Sequence, residues 1–429
     1  MNTQKYKLSQ FNSIISISDT VDVIYNAYSN RFMLLRKGVM KEQLKDMFDN
    51  EDLMDNLIKG GFIVDKAINE VEQVKKLSQE VDGNSTHYNL IINPTLNCNF
   101  KCWYCYESKS NRALMSMNVL QNVKKFIKNT IPLYTSFHLS FFGGEPLLGY
   151  KKIVKPIIEY TNILCKECGT SLTISFTSNG YLIRHDMMQF LKDNHVTNFQ
   201  ITLDGNKDLH NQTRYQKEGD DSYSTIMKNI RMLLEHGISV TLRFNYTDKN
   251  VKTLKDVADD LSSLSLHQKS LLYISFHQVW QTVNVNLEKD IKDIVEYYHS
   301  LGFKASTPIF DNVRNSCYAD KKNNALINYN GDIFKCTAVD FENTQRYGVL
   351  NDEGFIIWEN DSLNIRLNSK FKNEPCLKCR LLPICNGACT QKAIDFKNRD
   401  YCIFSFDEDK KDNVILDKLE NYIRNISRQ

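Results

Sequence analysis

Cys98-Asn99-Phe100-Lys101-Cys102-Trp103-Tyr104-Cys105 sets three thiols at C-x3-C-x2-C, directly after the apolar run Tyr88–Ile92. Three thiolates with no fourth cysteine nearby suit a cubic iron–sulfur cluster that leaves one iron open to a ligand. A structural zinc site would ask for four protein ligands. Disulfides suit short secreted chains, and this chain has 429 residues.

Outward from that loop, apolar runs alternate with amphipathic stretches. Strands are expected at Tyr88–Ile92, Phe137–Phe142, Leu172–Thr177, Phe199–Leu203, Val240–Phe244 and Leu272–Phe276. Six such units imply a parallel α/β sheet with right-handed crossovers. Polar and glycine residues follow the strands directly: Gly143-Gly144-Glu145-Pro146 after the second, Thr177-Ser178-Asn179-Gly180 after the third, Asp204-Gly205 after the fourth. β/α barrels carry their reactive groups at those strand ends. Glycines there let the backbone approach a ligand, and the Glu145 carboxylate can pair with an ammonium group. His210 and Arg214, in the loop beyond Asp204, and Arg243 and Asn245, at the end of the fifth strand, are candidates for substrate or carboxylate contacts.

The cysteine loop resembles that of the radical SAM enzymes, whose defining motif also has an aromatic before the third cysteine, here Tyr104. The resemblance implies a partial (β/α)6 TIM-like barrel. It assigns Cys98, Cys102 and Cys105 to a [4Fe-4S] cluster and Gly143, Gly144, Glu145 and Pro146 to the amino group of S-adenosyl-L-methionine. Ser178 and Asn179 carry over to the ribose hydroxyls, with Tyr104 and Arg243 as further cofactor contacts. Such enzymes reductively cleave S-adenosylmethionine to a 5′-deoxyadenosyl radical that abstracts hydrogen from an unactivated carbon.

The chain has twelve cysteines, and a reducing compartment calls for a chemical explanation of that number. Seven lie near the C-terminus: Cys317, thirteen residues, Gly331, four residues, Cys336, then Cys376-x2-Cys379-x5-Cys385-x3-Cys389, and finally Cys402. These intervals resemble the SPASM extension, which implies two auxiliary [4Fe-4S] clusters. Its crossed connectivity assigns Cys317, Cys336 and Cys389 to the first, and Cys376, Cys379, Cys385 and Cys402 to the second. Relatives often supply a further cysteine just beyond the first, and Tyr318–Asn324 contains none, so the first cluster would keep an open iron or a non-cysteine ligand. Cys165 and Cys168 form an isolated CxxC near the end of an amphipathic stretch and read as incidental.

Residues 1–80 carry no cluster cysteine. Short alternations at Ser13–Ile17 and Arg31–Leu35, a helical stretch Lys41–Lys59 and the apolar return Phe62-Ile63-Val64 are compatible with a small winged-helix-like unit. In peptide-modifying radical SAM enzymes such units resemble leader-recognition domains. The expected organisation is therefore this unit, a radical SAM partial barrel over 86–305, a SPASM domain over 310–406 and a packing helix over 407–429, where Ile415, Leu416, Leu419 and Ile423 fall at helical spacing.

A formal charge of +3, without a basic run, gives no basis for nucleic-acid or membrane binding. No signal-peptide core or spanning stretch is visible, and a cytoplasmic protein is expected. The resemblance implies an enzyme that matures a ribosomally made precursor peptide by a thioether or carbon–carbon crosslink, with a reductant such as flavodoxin or ferredoxin. Anaerobic sulfatase maturation is an alternative, although those enzymes place an aspartate directly after the second SPASM cysteine, where this chain has Thr337, with Asp340 nearby. A non-catalytic iron–sulfur scaffold or electron carrier is the alternative of another class, which the intact Gly143–Pro146 disfavours.

Overall fold

The computed structural model describes residues 5–39, 51–84, 86–108, 113–282, 286–307, 316–359, 361–387, 389–396 and 400–426. They fall into two units, one drawn from Met1–Asn84, Ile309–Lys322 and Asp361–Gln429, the other from Ser85–Pro308 and Asn323–Asn360.

In the first unit β1 (Tyr6–Leu8), β2 (Asn12–Ser16), β3 (Val21–Asn26), β4 (Arg31–Arg36) and β5 (Ile63–Asp65) are short. β2–β3–β4 form an antiparallel meander, and β1 pairs with β5. One apolar cluster joins Ile24 and Leu35 of the meander to Met54 and Leu57 of the helix Glu51–Lys59. A second joins Phe11, Tyr25 and Val74 to Leu381, Leu382 and Ile384 of the cysteine-rich segment and to Ile415. The N-terminal strands and the C-terminal cysteines thus share a core. The helical stretch read over Lys41–Lys59 is seen from Glu51, and its first ten residues lie outside the described set.

The second unit is built on parallel strands β6 (His87–Ile92), β7 (Ser136–Phe141), β8 (Ser171–Ser178), β9 (Val196–Leu203), β10 (Ser239–Tyr246), β11 (Leu272–Gln278) and β12 (Lys304–Ser306). They lie side by side in chain order, with helices between them, the arrangement expected from the sequence for a partial β/α barrel. All six expected strands are present. Two neighbours were not foreseen: β12, and β13 (Asn324–Ile327), which pairs parallel to β6 and leads into the antiparallel run β14 (Asp332–Phe334), β15 (Gly348–Leu350) and β16 (Ile356–Trp358). β13 is four residues long and wholly buried, so it offers no alternation to read.

Alternation on the longer strands has a direct outcome. Val240, Leu242 and Phe244 of β10 are buried, whereas Thr241, Arg243 and Asn245 on its other face are half-buried. Phe141, Phe176 and Phe199 stack across β7, β8 and β9 with centroids 5.0 and 4.7 Å apart. Burial of each such ring contributes about 1.5–3 kcal/mol. The opposite face is polar: His138 Nδ1 and Nε2 meet the Thr173 and Ser175 hydroxyls at 2.8 and 3.0 Å. Burial and, secondarily, the charge of His87 push the His138 imidazole down to about 4, so it is neutral there.

Candidate active site and thiol pocket

The cysteine loop leaves the end of β6 and is held by backbone contacts on both sides. Thr95 Oγ1 donates to Ala113 O at 2.7 Å and accepts from Asn97 N at 3.0 Å. The Glu145 and Gly144 amides donate to Asn97 O and Thr95 O, at 2.9 and 3.2 Å. The two glycines are required by this contact. Gly143 has φ +102°, and a Cβ on Gly144 would stand 2.3 Å from Asn97 O and 2.4 Å from Leu96 O. Phe100 is buried between the cysteines, in edge contact with Tyr181.

Glu145 is fully buried. Its carboxylate accepts from the Leu147 amide at 2.9 Å, the Asn179 amide at 2.7 Å and the Ser178 hydroxyl at 2.9 and 3.1 Å. Burial pushes its carboxyl up to about 6, against the hydrogen bonds from Asn179, Leu147 and Ser178. The Asn179 side chain continues the chain of contacts, donating to Asn99 Oδ1 at 2.8 Å with Cys98 Sγ 3.9 Å away. Cysteine loop, Gly-Gly-Glu-Pro turn and β8 end therefore form one connected set.

Tyr104 belongs to a second set, at the ends of β9 and β10. Its hydroxyl donates to the Asp204 carboxylate (2.8 and 2.7 Å) and accepts from Arg214 Nη1 at 2.7 Å and Asn245 Nδ2 at 3.1 Å. Arg243 Nε in turn donates to Asn245 Oδ1 at 2.8 Å. Asp204, His210 and Arg214 are buried. Burial raises the Asp204 carboxyl, with Arg214 and Tyr104 acting against it. The Tyr104 hydroxyl is raised well above its ordinary value, by burial first. Burial works to lower the Arg214 guanidinium, yet the charges of Cys102, Tyr104 and Asp204 carry it well above its usual range. The sequence placed Tyr104 with the cofactor contacts and gave no sign that its hydroxyl would meet Asp204, a hundred residues on.

An aromatic shelf escaped the sequence reading. Trp280, just beyond β11, stacks on Tyr106 with centroids 5.4 Å apart, and the neighbouring Gln281 donates to Tyr104 O at 3.0 Å. The rule that β/α folds carry function after their strands would have found it. Asp340 also lies in this unit. It accepts from Ser108 Oγ at 2.6 Å and Asn343 Nδ2 at 2.7 Å, and these hydrogen bonds, outweighing burial, hold its carboxyl below the usual range.

In the first unit, Cys376, Cys379, Cys385 and Cys402 line one cavity, in a setting of Leu381, Leu382, Ile403 and Phe404. Asn373 ties the two ends together, donating from Nδ2 to Cys376 Sγ at 2.9 Å and to Tyr401 O at 2.8 Å. None of the four is in a disulfide. Among the described residues no three His, Cys, Asp or Glu side chains are set to share a single metal ion. Four soft donors around an apolar hollow suit a polynuclear iron–sulfur cluster. Of the remaining three SPASM-spaced cysteines, Cys317 and Cys389 belong to the first unit and Cys336 to the second. Cys165 is buried in the hydrophobic core and Cys168 exposed, both on the helix Lys155–Cys168.

Residues 92–261 match the Radical SAM superfamily. The chain is 22% identical to a cysteine-type anaerobic sulfatase-maturating enzyme of Clostridium novyi, over 79% of this chain and 95% of that protein. It is 22% identical to the radical SAM cyclopropyl synthase TigE of Paramaledivibacter caminithermalis, over 91% of this chain and 88% of the relative. Among solved structures, Streptococcus suis SuiB bound to precursor peptide SuiA superposes with a TM-score of 0.55 at 15% identity, covering 92% and 98% of the two chains. Among the described residues no helix is long and apolar enough to cross a membrane.

Proposed function

Because this chain is a radical SAM enzyme, homologous to maturases of peptides and proteins, we propose that it modifies a ribosomally made precursor peptide by forming a thioether or carbon–carbon crosslink. The observation that carries this reading is the continuous contact from Glu145 through Ser178 and Asn179 to Asn99 and Cys98. Three segments assigned separately to cluster, methionyl group and ribose meet there. The family's cofactors are a [4Fe-4S] cluster and S-adenosyl-L-methionine, which together supply one-electron chemistry able to activate a carbon–hydrogen bond.

In this proposal Cys98, Cys102 and Cys105 hold the cluster. The Gly143–Pro146 backbone receives the amino group, since the Glu145 carboxylate is already engaged by three donors. Ser178 and Asn179 face the ribose, and Tyr104 and Arg243 set the far wall. Cys376, Cys379, Cys385 and Cys402 hold one auxiliary cluster. The crossed connectivity of the SPASM extension, which the chain resembles, assigns Cys317, Cys336 and Cys389 to another. The N-terminal meander grips the leader by adding it as a strand along β4, where Leu34 is 65% exposed. The enzyme works in the cytoplasm with a reductant such as flavodoxin or ferredoxin.

The test is anaerobic turnover of the reconstituted enzyme with dithionite, S-adenosylmethionine and the short peptide encoded beside it. 5′-Deoxyadenosine accompanied by a crosslinked peptide two mass units lighter is expected. Nucleoside release with an unaltered peptide would overturn the reading.

Similarity to the sulfatase-maturating relative supports a second reading, formylglycine formation, with Asp340 as base. A carboxylate held low by four hydrogen-bond donors is a weak base at neutral pH, which counts against it. Under the first reading Asp340→Asn leaves turnover within about twofold, whereas loss of a general base would cost about 10²–10⁴-fold.

A further inference from the structure

We infer that Lys411, in the first turn of the C-terminal helix, is a positioning charge for the cluster of Cys376, Cys379, Cys385 and Cys402, and raises its reduction potential. The inference rests on the proposal that these four thiols hold a cluster.

The helix Glu408–Ile426 begins where Asp407 Oδ1 accepts from the Asp409 and Lys410 amides, at 3.0 and 3.2 Å. Its inward face is set by Ile415, 1% exposed in the core with Phe11 and Tyr25. Residue 411 lies one turn before Ile415 on that same face, where packing calls for an apolar side chain. A lysine stands there instead, 8% exposed. Its side chain lines the cavity of the four cysteines and is the one lysine, arginine, aspartate or glutamate among the described residues that do so.

Burying an ammonium costs several kcal/mol unless negative charge repays it. Glu408 supplies part, at 2.5 Å from Lys411 Nζ, but Glu408 is itself 62% exposed and shared with Arg380 at 2.9 Å. The cysteines supply the rest: Lys411 lines the same cavity as Cys376, Cys379, Cys385 and Cys402, whose thiolates, as cluster ligands, would provide the remaining negative charge. A cluster with four thiolates is anionic in both oxidation states and more so when reduced. A fixed cation in its apolar pocket favours the reduced state, because net charge and surroundings set the potentials of such clusters.

The experiment is EPR-monitored redox titration of the anaerobically reconstituted full chain carrying Cys98→Ala, Cys102→Ala and Cys105→Ala, so that the radical-generating cluster does not contribute. Lys411→Met should lower the midpoint of one auxiliary signal by about 59 mV, a tenfold change in a one-electron equilibrium. Lys411→Arg should keep the parent value. Glu408→Gln, which breaks the ion pair but leaves the cation, should leave the midpoint unchanged or raise it. An unchanged midpoint in Lys411→Met at parent iron content overturns the inference, as does a fall in Glu408→Gln matching that in Lys411→Met. If Lys411→Met loses the signal, Lys411→Gln and Lys411→Arg decide, and equal signals and midpoints in those two also overturn it. If Cys376→Ala and Cys379→Ala together leave the iron content and the EPR signals of the parent unchanged, the underlying cluster assignment is what fails.

Discussion

The Ser178 hydroxyl donates to both carboxylate oxygens of Glu145, at 2.9 and 3.1 Å, in a site where the carboxylate is wholly buried. Burial holds the Glu145 carboxyl at about 6, above its ordinary 4.5. The folded chain therefore binds this proton more tightly than the unfolded chain. The resulting stability is full below about 4.5 and is lost as the pH rises through about 6. In urea denaturation of the metal-free protein, wild type should lose on the order of 2 kcal/mol relative to Glu145→Gln across that interval. A difference between the two that does not vary with pH would contradict the assignment.

Arg214 stands 3.6 Å from Asp204 with both side chains buried. Arg214→Met leaves a buried carboxylate without its cation and should cost about 3–5 kcal/mol. Adding Asp204→Asn should restore part of that loss, and additive single effects would show that the two do not act as a pair. Tyr104→Phe, which strips one donor and one acceptor from the same network, should cost about 1–3 kcal/mol in the same assay.

Gly144→Ala forces a methyl group against the carbonyls of Leu96 and Asn97. The backbone carrying Cys98 must shift to make room. Reconstituted protein should lose about four irons per chain, one cubic cluster, together with S-adenosylmethionine cleavage. The signals of the auxiliary clusters should persist, and full cleavage activity in Gly144→Ala would refute the close approach.

Trp280 is 56% exposed and stacked on Tyr106. If the shelf receives substrate, Trp280→Ala should raise the peptide KM roughly 2–10-fold, the size of one lost aromatic contact. Substrate-free cleavage of S-adenosylmethionine should stay as in wild type. An unchanged KM would remove the shelf from the substrate path.

Much of the fold was legible because long strands buried on one face alternate visibly, as Val240–Phe244 does. β13 was not, since Asn324–Ile327 is short, buried throughout and finds its partner β6 some 235 residues away. Ile423 departed from expectation. Its spacing put it on the packed face of the C-terminal helix, yet it is 53% exposed, because apolar contact there concentrates nearer Ile415. The spaced thiols were legible because cysteines at fixed intervals are rare in sequence, and four of them, Cys376, Cys379, Cys385 and Cys402, line one cavity.

By itself the sequence determined the spacing of the thiols: C-x3-C-x2-C, Gly-Gly-Glu-Pro and seven further spaced cysteines are local patterns, and the proposed cluster ligation rests on them. The tertiary structure alone decided which distant residues share a dielectric environment. It closed Glu145 onto Ser178 and Asn179, joined Tyr104 to Asp204 and Arg214, and brought Lys411 into the pocket of four cysteines. Burial and charge pairing depend on what surrounds a side chain in space, and order along the chain does not contain that.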